Sequence, residues 1–85
     1  MDRHVILGVH LTDRVRQASE VQQVFTEFGG HIKTRLGLHD VGPGGSATTG
    51  LIVLELIGDT TSFDAMAARL KALEGVEVQR MVFGH

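Results

Sequence analysis

Large apolar side chains at Val5, Leu7, Val9 and Leu11 alternate with smaller or polar residues at His4, Gly8 and His10, Ile6 being the one exception. A period of two predicts a strand over His4–Leu11 with one buried face. Thr12 or Asp13 is placed to cap a helix. In that helix Val15, Ala18, Val21, Val24, Phe25 and Phe28 recur at three- and four-residue steps, leaving Arg14, Arg16, Gln17, Glu20 and Glu27 outside. Gly29 and Gly30 offer a left-handed stop. Ile32, Thr34, Leu36 and Leu38 then alternate with His31, Lys33, Arg35, Gly37 and His39, which predicts a second strand. The segment 42–50 is rich in Gly, Ser and Thr and holds the chain's one Pro, so it reads as a hairpin loop. No G-x-G-x-x-G or G-x-x-x-x-G-K-[ST] pattern can be spelled in it. Leu51 to Ile57 is apolar on both parities except Glu55, as in a central strand. A helix follows, capped near Thr61 or Ser62, with Phe63, Met66, Ala67, Leu70 and Leu73 as its stripe and Gly75 as its stop. Val76 to Phe83 is the last strand. Its parity shifts from Val76 and Val78 to Met81 and Phe83, which a bulge or a partner-covered edge would explain.

The order β-α-β-β-α-β, folded with right-handed crossovers, predicts an α+β, ferredoxin-like βαββαβ plait: a four-stranded antiparallel sheet with two helices on one face. Residues 1–85 are expected to form a single domain. With Val5, Leu7, Ile32, Leu36, Ile52 and Leu54 turned toward the helices, the bare face would carry His4, Ile6, Gly8, His10, His31, Lys33, Arg35, Gly37, His39, Leu51, Val53, Glu55 and Ile57. Aliphatic residues flanked by titratable ones suit a buried subunit interface, so a homo-oligomer, dimer or tetramer, is expected.

Composition narrows the functions. The chain has 85 residues and no Cys, which excludes disulfides, thiolate metal sites and thiol chemistry. Eight Lys+Arg against ten Asp+Glu give a net charge of −2, with no general pull toward nucleic acid. No apolar run reaches the roughly 18 residues of a membrane span and no signal peptide is visible, so no membrane partner and a cytoplasmic address are expected. The central strands hold no aromatic for stacking bases, the chain has no Asn to serve an acyl-phosphate hydrolase, and no Ser-His-Asp or paired-carboxylate arrangement converges. A non-enzymatic protein without a cofactor is expected.

Candidate ligand-binding residues are His10, Asp13, Arg14, Arg35 and His39. The turn Thr12-Asp13-Arg14-Val15-Arg16 sets backbone N–H groups and two Arg at a helix start, where anions are stabilised. Arg35 either pairs with Glu55 across the hairpin or anchors an anionic effector. His10 and His39 are the alternative, a divalent-metal pair. The third strand separates them by about 10 Å, so closing the site would take unusual rotamers or a ligand from a second chain.

The runs His31-Ile32-Lys33-Thr34-Arg35-Leu36-Gly37-Leu38-His39, Leu51 to Asp59 (LIVLELIGD) and Leu73 to Phe83 (LEGVEVQRMVF) resemble the small stand-alone iron-only hydrogenase system regulators. That family is similar in fold to ACT domains and to the C-terminal domain of the nickel-responsive repressor. The resemblance implies a cytoplasmic, oligomeric, effector-sensing regulator. With no separate DNA-binding segment, any regulation of transcription would have to act through another protein. Where ACT domains often carry Asp-Arg-x-Gly, this chain has Asp13, Arg14, Val15 and Arg16, and it lacks the Cys of the nickel site.

Overall fold

The computed structural model describes residues 4–38 and 49–84, apart from the side chain of Val15. Among them run β1 (His4–Leu11), α1 (Arg14–Glu27), a short 3₁₀ turn (Gly29–His31), β2 (Ile32–Leu38), β3 (Gly50–Leu56), α2 (Thr60–Lys71) and β4 (Val76–Phe83). The strands form one four-stranded sheet in the order β2-β3-β1-β4, and every neighbouring pair is antiparallel. This is the expected ferredoxin-like plait. The loop expected over 42–50 lies outside the described residues except at its end.

The period-two pattern of β1 does what it implies: Val5, Leu7, Val9 and Leu11 are buried under the helices. Across the ladder they sit beside Leu54 and Leu56 of β3, and Val76 of β4. Val21, Val24 and Phe25 of α1 and Phe63, Met66, Ala67 and Leu70 of α2 close the core from above. Each such aliphatic or aromatic side chain, fully removed from water, stabilises by roughly 1.5–3 kcal/mol before entropy is counted.

Four local expectations change. Ala18 is exposed and Gln17 buried instead, because the Gln17 amide is fully occupied: its Nε2 donates to the Glu74 carbonyl at 2.7 Å and its Oε1 accepts from Asp13 N–H at 3.0 Å. A polar group so paired sits at an apolar helix position at little cost. The cap of α2 is Asp59, whose Oδ1 accepts from Ser62 N–H at 2.7 Å, and not Thr61 or Ser62. Gly29 and Gly30 are not left-handed; α1 runs into the 3₁₀ turn, and positive φ falls at Gly58 and Gly75. Most consequentially, β4 pairs with β1 without interruption over eight residues, while the register shift lies in β2, between Ile32 and Thr34. The extra residue is Lys33, and it reverses the parity of the rest of β2.

Gly75 is required by two conditions at once. Its φ is +79°, and a Cβ there would meet the Gln17 amide and the Thr12 hydroxyl. Thr12 itself donates its hydroxyl to the Gly75 carbonyl at 2.9 Å, so the turn after β1 and the turn before β4 are latched together.

Gly75→Ala is expected to destabilise by roughly 2 kcal/mol in urea unfolding, from left-handed strain plus the displaced amide. The Asp59 carboxyl is held below the ordinary carboxylate range, chiefly by the Ser62 amide, with the Ser62 hydroxyl and His31 adding to it. A depressed folded pKa contributes stability above the unfolded value of about 3.9 and loses it as pH falls through the folded value. Asp59→Ala should therefore lower Tm at neutral pH, and the two melting curves should converge on acidification below about pH 4.

Candidate functional site

The bulge at Lys33 decides which candidates face which side. Counting from Thr34↔Glu55, the helix side of β2 receives Arg35 and Gly37, and the open side receives Thr34, Leu36 and Leu38. This reverses the expectation for both Arg35 and Leu36. Arg35 lies beneath α1: its guanidinium stacks over the Phe25 ring at 4.9 Å and donates to Gln22 Oε1 at 2.8 Å. It does not pair with Glu55. Glu55 stays on the open face, accepting from the Thr34 hydroxyl at 3.0 Å with Lys33 Nζ at 4.0 Å.

Two concave sites result, on opposite sides of the sheet. On the helix side a cleft of about 240 Å³ opens between the start of α1 and the β2–β3 ladder, lined by Leu11, Arg14, Arg35, Gly37, Gly50 and Ile52 among others. Gly50 is buried against the aliphatic stem of Arg14; a Cβ there would stand 3.1 Å from Arg14 Cδ. Both guanidinium-bearing residues thus line one cleft, and among the described residues no carboxylate lines it. Asp13 does not line it; its side chain accepts from Arg16 N–H at 3.3 Å as the helix cap.

On the open side a hollow of about 300 Å³ is bounded by Gly8, His10, Leu51, Glu77 and Gln79. Glu77 stands directly across from His10 in the β1–β4 ladder. His10 Nδ1 is buried there without a hydrogen-bond partner among the described residues. The expected ligand set is therefore divided by the sheet, with Arg14 and Arg35 on one side and His10 on the other. His39 lies outside the described residues. His31 lies in the 3₁₀ turn ahead of β2: its Nδ1 is 3.1 Å from the Ile57 carbonyl, to which it must donate, and its own carbonyl accepts from Ile57 N–H. Among the described residues no three His, Asp or Glu side chains group to hold a metal.

The rest of the open face follows from the registers. One row across it runs Leu38, Leu51, His10, Glu77; the next Leu36, Val53, Gly8, Gln79; the next Thr34, Glu55, Ile6, Met81; and His4 then stands beside Phe83. Five large apolar side chains of this face are exposed: Leu36 by 54 %, Leu38 by 43 %, Leu51 by 38 %, Met81 by 55 % and Phe83 by 49 %. Leu36 and Leu38 escaped the sequence reading because a bulge leaves the i, i+2 alternation within each half of a strand intact.

No family model matches the chain, and no curated protein matches it. Several solved structures share its shape. The uncharacterized protein TM1266 from Thermotoga maritima superposes with a TM-score of 0.83 at 21 % identity, over 98 % of this chain and 100 % of that one. CPII, a nitrogen regulatory PII-like protein from Thiomonas intermedia K12 bound to ADP, AMP and bicarbonate, gives 0.62 at 12 % identity over 99 % and 93 %. SnoaB, a cofactor-independent oxygenase from Streptomyces nogalater, gives 0.59 at 11 % over 100 % and 94 %. What these likenesses establish is the ferredoxin-like fold, which hosts regulators and enzymes alike. No helix of the described residues is long and apolar enough to cross a membrane.

A double-mutant cycle on stability between Arg35 and Phe25 is expected to return a coupling of about 0.5–1 kcal/mol. The same cycle between Arg35 and Glu55 should return none. A coupling confined to the second pair would restore the ion pair that the bulge removes.

Proposed function

We propose that residues 1–85 act as one non-enzymatic, ACT-like regulatory module, a cytoplasmic homo-oligomer that assembles through its open sheet face and takes a small anionic effector in the cleft of Arg14 and Arg35. In line with the family resemblance of its strands, the system regulated is an iron-only hydrogenase system, reached through a protein partner and not by direct contact with nucleic acid. The carrying observation is the open face, where exposed Leu36, Leu38, Leu51, Met81 and Phe83 occupy one side of a thin sheet. An apolar area of that kind on a small domain is what an interface leaves when its second half is missing. The effector site shifts from the mixed set of His10, Asp13, Arg14, Arg35 and His39 to the two arginines, with Asp13 reserved for the helix cap.

Shape likeness to the PII-like CPII supports a regulatory trade without naming a ligand. A carboxylate or phosphate is the chemistry that two guanidinium groups lining one cleft would recognise.

Light scattering of the full chain at tens of micromolar is expected to give a dimer or tetramer; a strict monomer removes the assembly. Titration with inorganic phosphate and with small carboxylates should raise Tm in the wild type and not in an Arg14→Met, Arg35→Met variant, and equal shifts in both would dismiss the cleft. Equilibrium dialysis with nickel and zinc tests the alternative: uptake that disappears in His10→Ala would replace the anion reading with a metal one.

A further inference from the structure

The polar residues of the open face restrict how a second copy can lie on it. The apolar side chains form a diagonal band, from Leu38 and Leu51 at one corner to Met81 and Phe83 at the other, roughly 25 Å long at the usual strand spacings. The two corners beside the band are polar. One holds His10, Glu77 and Gln79 around the hollow floored by Gly8. The other holds Lys33, Thr34 and Glu55.

We propose that the occupant of this face is a second copy of this chain, related by a two-fold axis that lies in the interface along the apolar diagonal. The inference rests on the assembly reading above and adds its geometry. Two identical faces stacked by a closed two-fold must have that axis in the plane between them. Only an axis along the band or one across it lays apolar on apolar. The axis across the band sets the acidic corner on itself, Glu77 against Glu77 of the second copy, and like charges at that range repel. The axis along the band lays the Lys33 corner over the Glu77 corner twice, once on each side.

The same operation brings each Glu55 carboxylate toward Gly8 and the Gln79 amide of the second copy, in the hollow whose far side is lined by Glu77 and the half-buried His10. Gln79 donates one N–H to Glu77 at 3.3 Å, which leaves the other for this contact. Residues on the axis face their own copies: Leu38, Val53, Ile6 and Phe83. Strands of the two sheets then cross at roughly 70°, nearer the orthogonal than the aligned mode of sheet packing. The face measures on the order of 500 Å² in projection, before side-chain relief is added. That is the scale of the ~800 Å² of accessible surface each partner buries in a standard interface.

The chain has no native cysteine, so single cysteines report the axis. With full-length protein and a short bismaleimide, Phe83→Cys alone and Leu38→Cys alone are each expected to give a covalent dimer, and mixing the two is expected to add none between the opposite ends. Val53→Cys, a milder change on the axis, gives the same readout where shortening Phe83 or Leu38 loosens the dimer. Crosslinking confined to the mixture puts the axis across the band and overturns the proposal. So does a wild-type dimer in which all three variants associate but none crosslinks. A wild-type monomer instead overturns the assembly reading itself. As a second arm, Lys33→Glu should raise the dissociation constant about two- to fivefold at low salt. Adding Glu77→Lys should restore it, and failure to restore refutes the pairing of the two corners.

Discussion

The placement of chemistry in this protein depends on one unpaired residue. Between Ile32 and Thr34 the β2 ladder spends an extra residue on Lys33 while β3 advances by one step. Because side chains alternate at every position, the insertion inverts everything downstream. Arg35 goes under α1, where Phe25 and Gln22 receive it. Leu36 and Leu38 go outward, and two polar side chains, Thr34 and Glu55, are left to bond each other across the strands. Without the bulge the outer face would be more charged and the space beneath α1 would need an aliphatic residue at 36.

The sheet therefore separates two environments by the thickness of one backbone layer. Above it, Arg14 and Arg35 line one cleft together with aliphatic Leu11 and Ile52 and with Gly37 and Gly50. Below it lies a broad apolar band with polar corners. Gln17 and Thr12 bind the turn at the head of α1 to the carbonyls of Glu74 and Gly75, just ahead of β4. The start of α1 is thus hydrogen-bonded to the turn that leads into β4, the strand that carries Met81 and Phe83 on the other side.

Much of this was legible in the residues. The alternation in β1, the buried positions Val21, Val24 and Phe25 of α1 and Phe63, Met66, Ala67 and Leu70 of α2, and the βαββαβ order follow from periods and turn chemistry, whereas α2 stops at Lys71, ahead of the expected Gly75, which serves the turn into β4. What was not legible shares one physical cause: it depends on a distant partner. The Lys33 bulge is invisible because Thr34, Leu36 and Leu38 alternate equally well on either face. Gln17 looks like a solvent residue until the Glu74 carbonyl is placed beside it. The parity change in β4 invited a bulge there, yet the strand is continuous: Arg80, on the helix side, reaches Asp64 of α2 at 2.8 Å, and Met81 and Phe83 belong to the open face. For the site, the individual residues His10, Arg14 and Arg35 were readable and their grouping was not.

The edge strand β2 also carries a device that discourages uncontrolled strand addition, a bulge with a lysine at its rim. A neighbouring chain offered that margin meets a distorted hydrogen-bonding template. Growth by templated edge pairing, the route toward fibrils, is therefore obstructed on that side.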